Sequence, residues 1–153
     1  MMRRIVILVL SLAFLTGCEE LPPAVPVTVV EATSPVVGAD GNLAQSVGIE
    51  TLGGVFTPLL SKGAAVPCSV SNVFSTAADN QSQIMVKTYR GAAQLVAGCE
   101  PLGLFQVVGI LPGARGTPKI EITFAVQSGN ILMAAKDLAT GQPMQIKKLV
   151  MPQ

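Results

Sequence analysis

Apolar residues occupy every second position from Lys119 to Val126. Ile120, Ile122, Phe124 and Val126 share one face, while Lys119, Glu121 and Thr123 share the other. A period of two predicts a strand with one buried face. Ser69 to Thr76 and Gln83 to Tyr89 are further β-type runs, joined by Ala77-Ala-Asp-Asn-Gln-Ser82. Asp, Asn and Ser form turns by bonding their own backbone, so this pair is expected to be a hairpin. Leu104 to Ile110, Asn130 to Ala135 and Met144 to Leu149 are short apolar runs bounded by Gly103, Gly109, Gly113, Gly129 and Gly141. In this part of the chain no ten-residue segment keeps a 3.6-residue apolar period without Gly or Pro. The pattern therefore predicts an all-β fold, a small antiparallel β-sandwich over residues 46–150.

Composition supports this picture. Fifteen Gly and eleven Pro in 153 residues oppose a mostly helical fold, because Gly weakens helix interiors and Pro breaks them. Aromatic residues make up only 4%, so the core must come from Val, Ile, Leu and Met. The formal net charge is +1; without Arg3 and Arg4 it is 8 basic against 9 acidic residues, or −1. Such a surface gives no electrostatic reason to expect nucleic acid as a partner. The absence of His removes the usual general base and the commonest metal ligand. Lys, Asp and Glu are scattered singly, and no glycine loop is arranged to hold phosphate. The chain is expected to be no enzyme, with no cofactor, metal or nucleotide.

The N-terminus carries an address. Met1-Met-Arg-Arg4 and the apolar run Ile5 to Leu15 form a basic segment followed by eleven apolar-type residues. That run is too short to span a bilayer, which needs about 20 residues, and it fits a secretory signal. It ends in Leu15-Thr16-Gly17-Cys18, which resembles the lipobox of bacterial lipoproteins. The resemblance implies a signal peptide at 1–17, cleavage before Cys18, and lipid on Cys18. Several acyl chains on one residue exceed the threshold for lasting attachment. In that family an Asp after the cysteine is the usual inner-membrane retention signal. Glu19 stands here, favouring the outer membrane, facing the periplasm. The competing reading is a plain secretory signal with Cys18 incidental. From Cys18 to Gln45 the chain carries Pro22, Pro23, Pro26 and Pro35, which favour an extended tether. Pairing of Val27 to Val30 as a terminal strand is the alternative.

Between Val47 and Asp137 a series of pieces follows in order: Val47-Gly-Ile-Glu-Thr-Leu-Gly-Gly-Val55, Val73-Phe-Ser-Thr-Ala77, Asp79-Asn-Gln-Ser82, Arg115-Gly116, Pro118, and Ile120-Glu-Ile-Thr-Phe124. This stretch resembles the peptide-binding β-sandwich of DnaK-type heat-shock chaperones. The resemblance implies a channel that grips extended polypeptide and drops one apolar side chain into a central pocket. Its walls would be Ile49, Leu52, Val55, Phe74, Ala77, Ile84, Val86 and Ile120, with Leu52 and Ala77 arching over the bound backbone. For Ile120, Val86 and Phe74 taken singly, core packing is the competing role.

Departures from the family narrow the expectation. The ATP-binding half and the helical lid are not recognisable, and the acidic linker has no match in Gly41-Asn-Leu-Ala-Gln45. Ala78 stands where the family commonly has an acid. The strand Ile131 to Asp137 is one residue short of the pattern, which leaves its register open. Cys68 and Cys99 form an even pair in an oxidising compartment, open to a disulfide or to two buried thiols. The functional expectation is a membrane-anchored, ATP-independent module holding extended apolar or unfolded polypeptide. The alternative is a non-catalytic envelope scaffold or docking lipoprotein whose groove is filled, for instance by its own Val25 to Val37 segment.

Overall fold

The computed structural model describes residues 27–32 and 35–150. The signal-peptide reading of residues 1–17 and the lipidation of Cys18 lie outside the described residues. Among the described residues nine strands follow in order: β1 Thr28–Val30, β2 Ser46–Thr51, β3 Val55–Leu60, β4 Cys68–Phe74, β5 Gln83–Gly91, β6 Glu100–Val108, β7 Ile120–Gln127, β8 Asn130–Asp137 and β9 Gln145–Leu149. They form two antiparallel sheets, ordered β1-β8-β7-β4 and β3-β2-β5-β6-β9. The fold is the expected β-sandwich.

The inner faces meet as the alternation of β7 requires. Ile120, Ile122, Phe124 and Val126 are fully buried, and Ile131, Met133 and Ala135 of β8 extend the same layer. Val47, Ile49, Val86, Phe105 and Val107 come down from the other sheet. The β7–β8 hairpin closes through Ser128 and Gly129, both at positive φ (49° and 77°), between the pair Gln127↔Asn130. Two such residues match the twist of the flanking strands. Pairing runs without a shift from Ile120↔Asp137 to Gln127↔Asn130, which settles the register of Ile131 to Asp137.

Two expectations are corrected. The runs Ser69 to Thr76 and Gln83 to Tyr89 do not pair with each other. β4 pairs with β7 in one sheet, and β5 pairs with β2 and β6 in the other. The turn-forming residues between them make a corner, because their hydrogen bonds go elsewhere. Asp79 Oδ1 accepts from the Arg115 N–H (2.8 Å), and the Asn80 N–H donates to Gly113 O (2.8 Å). This also separates the cysteines. Cys68 lies opposite Val126 in the first sheet, whereas Cys99 packs against Gly91 at the end of β5 in the second. Both are thiols.

The second correction concerns the tether. The sandwich begins well before Ser46: β1 pairs with β8 (Thr28↔Met133, Val30↔Ile131), and Val30, Val36 and Leu43 are buried in the core. Prolines flank β1 without interrupting it. The segment then passes from one sheet to the other, fastened by Lys148–Glu31 (2.5 Å) and by Arg90 Nη1 donating to Pro35 O (3.2 Å). Arg90 is 1% exposed and also donates through Nε and Nη2 to Glu100 Oε2 (3.1 and 2.6 Å). Burial of each of the three apolar side chains is worth about 1.5 kcal/mol or more. A chain beginning at Ser46 should therefore be at least about 4 kcal/mol less stable than one beginning at Val27. Denaturant titration of the two versions checks this, and coincident midpoints would contradict the role given to the segment.

Candidate functional site

The ladder between β2 and β5 runs from Ser46↔Gly91 to Ile49↔Thr88 and ends there. β2 continues alongside β3 as far as Thr51↔Val55, and β5 continues alongside β6 to Gln83↔Val108. Where the two strands part, a cavity of about 470 Å³ opens, lined by Ile49, Glu50, Thr51, Leu52, Phe74, Ile84, Met85 and Val86. Ile49, Ile84 and Val86 are buried and supply its apolar inner wall. Phe74, at the end of β4, reaches it from the other sheet, half-buried against the core.

Leu52 lines this opening and is 97% exposed. It begins the three-residue turn Leu52-Gly53-Gly54, where Gly53 and Gly54 both have positive φ (81° and 71°). Consecutive left-handed residues are costly for any side chain with a Cβ, so the glycines let the strand reverse in so short a space. The turn is braced from behind. The Val96 N–H donates to Gly54 O (3.0 Å) and the Phe56 N–H to Gln94 O (2.9 Å). On the opposite side, the corner after β4 is fixed by Gln81, whose Oε1 accepts from the Ala77 and Ala78 N–H groups (2.9 and 3.2 Å). Ser75 Oγ donates to Pro118 O (2.6 Å), and the Gly116 N–H donates to Thr76 O (3.1 Å). The pieces around Asp79, Arg115 and Pro118, distant in sequence, thus meet at one corner.

Of the eight positions singled out in the sequence, Ile49, Leu52, Phe74, Ile84 and Val86 line this cavity. Three do not. Val55 opens β3, where its backbone bridges to Leu95 and its side chain is exposed outside the cavity. Ala77 is exposed on the corner. Ile120 is fully buried, as the ladder partner of Phe74, and belongs to the core behind the cavity. Glu50, Thr51 and Met85 were not anticipated. Met85 points to the polar face of β5, where it is 46% exposed. A large apolar residue on the wet side of an alternating strand was the available signal. The Val-rich segment expected to compete for the groove is elsewhere: within the described residues, Thr28–Val30 lies on the free edge of β8.

Polar groups mark the point where the strands part. Lys87 Nζ lies 3.2 Å from Glu50 Oε2, and Tyr89 OH donates to the same oxygen (3.1 Å). Burial, reinforced by the hydrogen bond to Glu50 and its charge, raises the Tyr89 pKa above the ordinary value. Among the described residues no group of three or more His, Cys, Asp or Glu side chains is placed to hold a metal ion. The arrangement offers an apolar slot between two strand edges that do not pair with each other, which is what an extended chain needs for backbone hydrogen bonds and one buried side chain.

Comparison with known proteins agrees with this architecture. The family model described as Hsp70 protein matches residues 39–151. The chain is 48% identical over 102 residues to the mitochondrial heat shock 70 kDa protein of Pisum sativum, and 47% identical over 102 residues to the chaperone protein DnaK of Methanothermobacter thermautotrophicus. Each match covers 66% of this chain, but only 15% and 17% of those two proteins. This chain belongs to the Hsp70 family and corresponds to a small part of its relatives' length.

Tyr89 is the only tyrosine, so its titration can be followed by tyrosinate absorbance without interference. The native midpoint should lie above 10, return to about 10 in denaturant, and fall in Glu50→Gln. Because the folded value is raised, the associated stability is fully present below pH 10 and lost as pH climbs through the folded midpoint. A native midpoint at or below 10 would contradict the Tyr89–Glu50 contact.

Proposed function

We propose that this chain is a membrane-anchored, ATP-independent module that holds extended apolar or unfolded polypeptide segments. The observation that carries the reading is the parting of β2 from β5 in a member of the Hsp70 family, with an apolar cavity at the parting. Ile49, Phe74, Ile84 and Val86 would receive one side chain, and Leu52 would close over the bound backbone. Burying a Leu-sized side chain is worth about 2 kcal/mol, so preference among apolar residues is weak and broad. Capture is passive, and release follows from the off-rate alone.

The anchor is Cys18 in this reading. Its support is the segment Leu15-Thr16-Gly17-Cys18 behind a basic and apolar leader. Docking of β1 shortens the tether: nine residue steps separate Cys18 from Val27, which at full extension span about 30 Å. β1 and β4 are opposite edges of their sheet, and the cavity adjoins the end of β4. An anchor drawn through β1 therefore meets the sandwich at the sheet edge across from the groove.

Fluorescence anisotropy of labelled Leu-containing peptides with residues 27–150 tests the grip. Saturable binding is expected in the micromolar range or weaker, reduced at least about tenfold by Ile84→Asp or Leu52→Asp, since a charge replaces apolar wall. Absence of binding at high micromolar protein, or binding indifferent to both substitutions, overturns the reading. The anchor is tested separately by feeding cells a labelled fatty acid. The full-length chain should take up label and fractionate with the outer membrane, and Cys18→Ser should do neither. Unlabelled protein in the wild type would refute lipidation.

A further inference from the structure

A second cavity, of about 330 Å³, adjoins the first and is lined by Glu50, Thr51, Leu52, Gly53, Met85 and Lys87. The two share Glu50, Thr51, Leu52 and Met85, so both open on the same split between β2 and β5. They differ in the face they use. Along β5, Ile84 and Val86 are buried towards the core, whereas Met85 and Lys87 point to the outside of the sheet. Successive side chains of an extended ligand also point to opposite faces. A residue whose side chain enters the inner cavity therefore sends its neighbour towards the outer one.

We propose that the outer cavity is a second subsite, selecting beside the apolar anchor a residue with an aliphatic stem and an anionic or amide head, Glu before Gln. This rests on the reading of the split as a peptide groove. Leu52 and the half-exposed Met85 supply an apolar floor for the stem. Lys87 supplies the head contact. Its side chain is 45% exposed, and its protein partners are the two oxygens of Glu50. An ammonium has three N–H groups, so at least one remains for a ligand acceptor. Glu50 is already engaged by both Lys87 and Tyr89, so it is poorly placed to draw in a basic side chain. A short acid such as Asp would lose the stem contact with Met85. Specificity then comes from two adjacent positions instead of one.

The test uses fluorescein-labelled peptides that carry one Leu in a Gly/Ser background, with Ala, Glu, Asp or Lys next to it. Exposed ion pairs are worth little, so Glu should bind about threefold tighter than Ala and about tenfold tighter than Lys, with Asp close to Ala. The Glu-to-Lys ratio should shrink with added salt, reverse in Lys87→Glu and approach one in Lys87→Met. In Met85→Ser the Glu-over-Asp advantage should disappear. All readouts are ratios within one protein, so a general loss of affinity does not imitate them. Binding of the Leu–Ala peptide with Glu, Asp and Lys indistinguishable would overturn the subsite and leave the groove standing. A Glu preference that persists in Lys87→Glu would also overturn it. Failure of every Leu peptide to bind removes the groove, and the subsite with it.

Discussion

A β-strand can serve two neighbours only while both stay within hydrogen-bonding distance, about 4.8 Å on either side. β2 meets that condition as far as Ile49 and then does not. Its last residues follow β3 into the Gly53–Gly54 turn, while β5 follows β6 back towards the corner at Asp79. The cavity depends on this divergence. It stays open because each half is held by something other than its missing partner. The β2–β3 turn is braced by the segment around Leu95, and β5 is paired with β6 without a shift from Gln83 to Thr88. The side chains at the bottom, Ile49, Ile84 and Val86, already pack on the core, so inward collapse would displace well-packed atoms.

The far side of the sandwich is closed by the opposite device. There the N-terminal segment adds β1 to one sheet and is then tied to the other through Glu31 and Pro35. Arg90 matters most among these ties. It is buried on the same strand as Ile84 and Val86, and its guanidinium joins Glu100 of β6 to the backbone of the crossing segment. A buried guanidinium is tolerable only with its donors engaged, so it fixes where the segment must cross. One edge of the molecule is thereby sealed by its own chain, and the slot opens in the other sheet where β2 and β5 part.

Much of this was legible in the sequence, and the misses share one cause. Alternation from Lys119 to Val126 identified the central strand and its buried face without error. The hairpin expected between Ser69 and Tyr89 failed because turn-forming residues show that the chain bends, without showing which strands pair afterwards. Asp79 and Asn80 bond to the Gly113 to Arg115 loop, more than thirty residues away, and no local pattern contains that partner. The tether failed likewise: prolines describe a stretch's own conformational freedom, while the fate of Val30 was decided by the open edge of β8. Val55, Ala77 and Ile120 are apolar as a groove wall requires. A backbone bridge to Leu95, exposure on the corner and burial behind Phe74 are tertiary outcomes that residue type does not encode.

The energetics of the slot set limits on what capture can achieve. One buried Leu-sized side chain gives about 2 kcal/mol, and each net backbone hydrogen bond adds roughly 1 kcal/mol. Association and ordering of an extended segment consume several kcal/mol of that gain. The balance lies on the order of the −4 to −8 kcal/mol that separates millimolar from micromolar affinity. A single site of this kind releases its segment quickly, as the passive capture proposed for it requires. Under the proposed function, retention of a long unfolded chain comes from several anchored copies engaging successive segments, each raising the effective concentration for the next. In the proposed function a surface-bound array of such modules supplies that arrangement, whereas the same module free in solution would not. In the proposed function the anchor is therefore part of the affinity as well as part of the address.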